Sequence, residues 1–204
     1  MGMARRGLLV LFPLLVKFSL VPVAVADVGS LRLDCGSEAM LEEGACVLSY
    51  LDTEVVVSTS GNGSLNTLTV RLADAQSSVS RAIDGIAYRA ELADLNVDSR
   101  PEVYVSISSA GSGSYGSLAA YVVEADLSLS PILLPELADN ADASTGYMGH
   151  DQFAVVENNL VRRFPIYQAG DVNAEPTGGT RNLVYRLDRM VKQWQLVLER
   201  INDY

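Results

Sequence analysis

Glu102–Val123 reads EVYVSISSAGSGSYGSLAAYVV, and this stretch decides the fold. Glu102–Ser108 alternates apolar and polar side chains, the two-residue period of a half-buried strand. Leu118–Val123 (LAAYVV) alternates likewise, and Gly and Ser fill the gap between the two runs. Two such runs around a Gly/Ser segment form a hairpin. The pattern recurs outward in both directions. Ala45–Leu51 (ACVLSYL) and Thr53–Thr59 (TEVVVST) are rich in β-branched residues, and Asn66–Leu72 (NTLTVRL) alternates after a Gly61-Asn62-Gly63 turn. Val79–Ile83 and Ile86–Leu95 flank Asp84-Gly85, a strong hairpin step. Arg81–Leu95 also holds enough Ala and Glu for a helix, and the Asp-Gly step decides for strands. Gln152–Glu157, Leu160–Tyr167, Arg181–Leu187 and Gln193–Arg200 complete the set, with Asn158-Asn159 as the turn of a two-residue hairpin. Ser130–Met148, rich in Pro, Asp and Ala, reads as a long surface excursion. Many short strands with closely spaced turns predict an all-β fold, an antiparallel β-sandwich with a small β-barrel as the alternative.

The chain has 204 residues and opens with Arg5-Arg6, an apolar run from Gly7 to Val16, and Ala24-Val25-Ala26. A basic start, an apolar centre and a small-x-small site describe a secretory signal peptide cut after Ala26. The apolar run is too short for a membrane span, so no stable membrane insertion is expected after cleavage. The expected organisation is a signal peptide over 1–26 and one β-rich domain over 27–204. The formal charge is −10 for the whole chain; removing Arg5, Arg6 and Lys17 with the leader, and no acid, makes it −13. So acidic a chain lacks the clustered Lys and Arg that bind nucleic acid and favours a cationic partner. The single His and two Cys leave no usual Cys/His metal site, and neither a metal nor a cofactor is expected. Export favours a structural disulfide between Cys35 and Cys46, whose spacing is wider than that of a C-x-x-C redox pair.

Several motifs resolve into bland readings. Asp94-Leu-Asn96-Val-Asp98-Ser99 starts like a calcium loop, but Ser99 and Val105 stand where that loop needs Gly and Glu, so an Asx-rich turn is expected. Gly111-Ser-Gly113-Ser-Tyr-Gly116 matches G-x-G-x-x-G, yet strand-like sequence follows where a phosphate-binding helix is required. No G-x-S-x-G elbow accompanies His150, which reads as a turn residue rather than a catalytic base. What remains of the loop is a thin, polar, uncharged projection. Gly111, Gly113 and Gly116 reduce its bulk, and Ser112, Ser114 and Tyr115 add hydroxyls. Hydroxyl donors suit carboxylate acceptors, and Tyr is enriched at binding hot spots. Gly170–Arg181 (GDVNAEPTGGTR) is either a plain hairpin connection or a second loop beside the first. Trp194, the one Trp, sits in a strand-like run and is expected in the core.

Together, SAGSGSYG at Ser109–Gly116, the preceding ADLNVDSRPEVYV, HDQF at His150–Phe153, LVRRFPIY at Leu160–Tyr167 and GDVNAEPTGGTR resemble the periplasmic inhibitors of invertebrate-type (I-type) lysozyme from Gram-negative bacteria. The resemblance runs from Ala93 to the C-terminus. It implies a non-enzymatic, exported β-sandwich whose Gly111–Gly116 loop enters the lysozyme cleft, with Ser112 and Tyr115 at the positions that matter for inhibition. The chain departs from the family in the Asp94–Glu102 turn, where a Gly-containing acidic turn is usual. The alternative function is an exported β-sandwich binding a small ligand or carbohydrate. A homodimer stays open.

Overall fold

The computed structural model describes residues 33–34 and 45–204. Cys35 and the expected leader lie outside these residues, so neither the Cys35–Cys46 pair nor the cleavage site is described. Cys46 itself is buried at 2% exposure and is not a free thiol.

The fold is an all-β sandwich, as the alternation predicts. Its strands are β1 (Leu33–Asp34), β2 (Ala45–Tyr50), β3 (Thr53–Asn62), β4 (Leu65–Leu72), β5 (Ser78–Asp84), β6 (Ile86–Ala93) and β7 (Glu102–Ser108). They continue as β8 (Gly116–Val123), β9 (Leu129–Leu133), β10 (Gln152–Val156), β11 (Asn159–Pro165), β12 (Thr180–Arg189) and β13 (Trp194–Asp203). One sheet has four strands in the order β2-β3-β4-β5, the other nine in the order β1-β6-β7-β8-β9-β13-β12-β11-β10. All described ladders are antiparallel except a short parallel one, Trp194↔Ile132 and Gln195↔Leu133, which joins β9 to β13.

The large sheet folds over itself, so β6–β8 form a middle layer between two cores. Val103, Val105 and Ile107 of β7 face Leu48, Val55, Leu68 and Val70 of the small sheet. Tyr104 of β7 and Val122 of β8 face Phe153, Leu160, Leu183 and Leu196 from β10–β13. This explains why β7 is buried on both faces although its sequence alternates: the polar positions Glu102 and Ser106 lie at 0% and 2% exposure. The fold-over nearly closes a barrel. Glu91 on β6 accepts the Val155 N–H of β10 at 3.3 Å, a side chain standing in for a strand ladder. A bulge between Ala87 and Arg89 lets both Ala87 and Ala90 reach the first core, which strict alternation would forbid.

Three sequence expectations are corrected. Asp84-Gly85 is a corner between sheets and not a hairpin, because β5 pairs with β4 whereas β6 pairs with β7. Gly85 has φ +122°, and a Cβ there would run into the Ser108 carbonyl, so the step is a close backbone crossing. Ser130–Met148 is no mere excursion. It contains most of β9, a 3-10 turn (Leu137–Asp139) and the one-turn helix α1 (Ala141–Ser144), and it buries Ile132, Leu137 and Ala143 in the second core. Turns also shift by a residue or two: β3 runs through Gly61 and Asn62, and the β10–β11 turn is Glu157-Asn158, since Val156 pairs with Asn159. The stretch Arg81–Leu95 is strand rather than helix for most of its length. Asp94–Ser99 is the expected Asx-rich turn, with the Asp98 and Ser99 N–H groups donating to the Asp94 carboxylate at 2.9 and 2.8 Å.

Candidate functional site

The β7–β8 hairpin projects its connection from one end of the sandwich. Its ladder closes at Ser108↔Gly116, and the Ser109 N–H donates to the Tyr115 carbonyl at 2.9 Å. Beyond that point the chain turns at Gly111 (φ +142°) and Ser114 (φ +40°), with the Ser114 N–H donating to the Gly111 carbonyl at 3.1 Å. Ser112 is exposed, and no described residue takes up its hydroxyl. Tyr115 is 51% exposed, and its ring meets Tyr147 edge-on at 5.7 Å. Of the six residues Gly111–Gly116 singled out in the sequence, Gly111–Tyr115 therefore sit together at an accessible tip, and Gly116 opens β8 at its base.

The tip is braced rather than free. At its base, the Gly116 N–H donates to Asp151 Oδ2 at 2.7 Å. The same oxygen accepts the Tyr147 hydroxyl at 2.6 Å, while Asp151 Oδ1 accepts Arg162 Nε at 2.6 Å. Arg162 occupies an inward position of β11 between Leu160 and Phe164, and lies at 5% exposure with its guanidinium against the rings of Tyr147, Phe153 and Phe164. Burial, reinforced by the hydrogen bond to the Asp151 carboxylate, pushes the Tyr147 phenol up from its ordinary pKa, so it stays a donor. Two charges removed from water need close pairing and filled hydrogen-bond positions, and this cluster supplies both.

Two further segments flank the tip. Gly149 is buried with φ +95°, and a Cβ there would strike the Gly113 carbonyl; that carbonyl accepts the His150 N–H at 2.8 Å. His150 is thus the turn residue expected from the sequence, with φ +60°. Gly170–Arg181 bridges β11 and β12 and comes to lie beside the first loop: Asn173 Nδ2 donates to the Ser112 carbonyl at 2.7 Å. Both readings of this segment hold, a hairpin connection whose tip meets the other loop. Asp171 staples it internally by accepting the Gln168 and Thr177 N–H groups at 2.7 and 2.8 Å. Those two bonds, with the Thr177 hydroxyl, hold the Asp171 carboxyl below the usual carboxylate range. Arg181 closes the segment, pairing with Asp203 at 2.8 Å and donating to the carbonyls of Asp142, Ala143 and Thr145.

Beside Tyr115 runs an open groove of about 660 Å³, lined by Leu118, Leu134, Pro135 and Tyr147 among others. Trp194 lies at the other end of β8 and β13. Expected in the core, it is instead partly buried and packs against the second core from outside; its indole N–H donates to Glu124 at 2.8 Å, and Arg189 covers its ring. No cluster of His, Cys, Asp and Glu suited to a metal occurs among the described residues.

Of the brace residues, Asp151, Arg162 and Asn173 fall in segments that carry the family resemblance, but the sequence assigns none of them, nor Tyr147, a bracing role. Arg162 carried the one visible signal: a charge at the apolar phase of the run Leu160-x-Arg162-x-Phe164 announces a buried partner.

No curated protein and no solved structure matches the chain. A family model does, over residues 69–143. The match begins earlier than the resemblance read from the sequence and ends before the HDQF, LVRRFPIY and GDVNAEPTGGTR segments. It spans the second half of the small sheet, the middle layer and the whole projecting loop. Residues 69–143 thus match the family of periplasmic lysozyme inhibitors of I-type lysozyme, the family that the motifs resemble.

Proposed function

We propose that this chain is an exported inhibitor of lysozyme, of the I-type, acting by insertion of the Gly111–Gly116 loop into the enzyme's cleft. The matched family is named for inhibition and not for catalysis, and for the periplasm, which agrees with an N-terminal leader cut after Ala26. The observation that carries the mechanism is the loop's geometry. Ser112 offers an uncommitted hydroxyl at an exposed tip, and Tyr115 stands half-exposed beside it on a braced hairpin. Glycosidases of this kind work with two carboxyl groups flanking the sugar bond. A hydroxyl donated to such a carboxylate gains a charge-assisted bond without presenting a bond to cleave. The loop carries no charge of its own, so no ionic group must be desolvated as it enters an enclosed groove.

A cell-wall lysis assay with residues 27–204 against I-type, chicken-type and goose-type lysozymes tests the reading, with inhibition of the I-type enzyme expected. Ser112→Ala is expected to weaken binding by about 1.5–3 kcal/mol if its partner is charged. Tyr115→Ala is expected to cost at least about 2 kcal/mol as a hot spot. Full potency in both variants would end the insertion model. The rival reading, a small-ligand or carbohydrate binder, has the groove beside Tyr115 in its favour and is checked by titration with oligosaccharides. Trp194, the natural stacking platform for a sugar, is occupied by Arg189 and Glu124 at the far end.

A further inference from the structure

We propose that Asn173 is a positioning residue of the inhibitory loop, a clip by which the second loop fixes the Ser112 backbone in its inserting shape. The inference rests on the insertion reading and adds a residue outside the family-matched segment. Three contacts orient Asn173. Its carbonyl accepts the Tyr167 hydroxyl at 2.8 Å, and its Oδ1 faces His150 Nε2 at 3.2 Å. With Oδ1 committed there, Nδ2 is left pointing at the Ser112 carbonyl, 2.7 Å away. His150 meanwhile holds the next carbonyl, that of Gly113, through its own backbone N–H at 2.8 Å. The two carbonyls at the tip of a glycine-rich loop are therefore each tied to a different neighbouring segment. A loop with glycines at Gly111, Gly113 and Gly116 would otherwise sample many shapes, and ordering it on binding would cost affinity. The clip meets that cost before the partner arrives, while leaving the Ser112 hydroxyl unused.

The test compares Asn173→Ala and Asn173→Asp with the parent chain. Asp keeps an acceptor for His150 but loses the donor to Ser112. Both variants should raise the inhibition constant against I-type lysozyme by about threefold to tenfold, the worth of one lost hydrogen bond. Amide exchange at Gly113–Tyr115 should quicken in both, with the melting temperature unchanged because the clip lies at the surface. Parent-like inhibition and exchange, in a background where Ser112→Ala does weaken inhibition, would overturn the clip and leave insertion standing. A lowered melting temperature with exchange quickened throughout the chain would overturn it too, by showing a structural role. Quickened loop exchange alongside full potency of Ser112→Ala and Tyr115→Ala keeps the clip and overturns insertion instead.

Discussion

Glu102 shows how one residue carries consequences for the whole chain. It opens β7 at 0% exposure, its Oε2 accepts the Leu95 N–H at 2.7 Å, and its Oε1 has no hydrogen-bond partner among the described residues. Burial, with the nearby charges of Asp94 and Asp98 and against the pull of the Leu95 N–H, pushes its pKa up from 4.5 to about 8. At neutral pH the folded chain therefore keeps a proton that the unfolded chain has released. The contribution of Glu102 to stability is fullest below about pH 4.5, falls as the pH climbs, and levels off above about pH 8. Glu102→Gln retains an acceptor for Leu95 and cannot ionise. Urea titrations at a series of pH values should show this slope, of order a few kcal/mol in total, largely removed in the variant. An unchanged slope would mean that other groups set the pH dependence. The residue looked like an ordinary polar position in the alternating run EVYVSIS. Its burial comes from a third layer that no local pattern announces.

At the scale of elements, the strands were legible and their partners were not. A period of two fixes which residues share a face, but it says nothing about which strand lies alongside. Asp84-Gly85 has the chemistry of a hairpin turn and instead carries the chain from the small sheet into the middle layer. Leu129–Leu133 (LSPIL) was hidden because Pro131 demotes a strand by lacking an N–H. It still forms β9, where the sheet turns over and pairs in parallel with β13 for two residues. The loop itself was legible from composition, since glycine and hydroxyl residues between two alternating runs have few other uses. Its brace was not, because Asp151 and Asn173 reach it from 35 and 61 residues away in the chain. Gly85→Ala tests the corner. The substitution puts a side chain at φ +122° against the Ser108 carbonyl. Thermal or urea unfolding should show a loss of roughly 1–3 kcal/mol. Gly170, with open space around it, should tolerate alanine better, although its φ of +97° still adds some strain.

The whole molecule is two cores sharing one middle layer, and that arrangement sets the loop's stiffness. The hairpin that carries the loop is buried on both faces over Glu102–Ile107 and Ala119–Val123, which anchors its far end between the two cores, while Gly116–Leu118 next to the loop are exposed or half-buried. The connections after β9 and β11 converge on its tip from the third layer, adding the Asp151 and Asn173 contacts. The chain as a whole is strongly acidic, since a formal −13 remains once residues 1–26 are removed. Such a field acts over several ångströms in water and decays within a Debye length, roughly 8 Å at physiological salt. It contributes to encounter more than to the fitted complex, which on the proposed insertion reading is contacted through an uncharged loop. If the partner is a basic lysozyme, association should slow about tenfold or more as salt rises from roughly 20 mM to 500 mM. Dissociation should change little over the same range, because the loop's hydroxyl contacts lie out of reach of counterions. Stopped-flow or surface-binding kinetics would resolve the two rates. A salt effect confined to dissociation would place the ion pairs inside the interface and not in the approach to it.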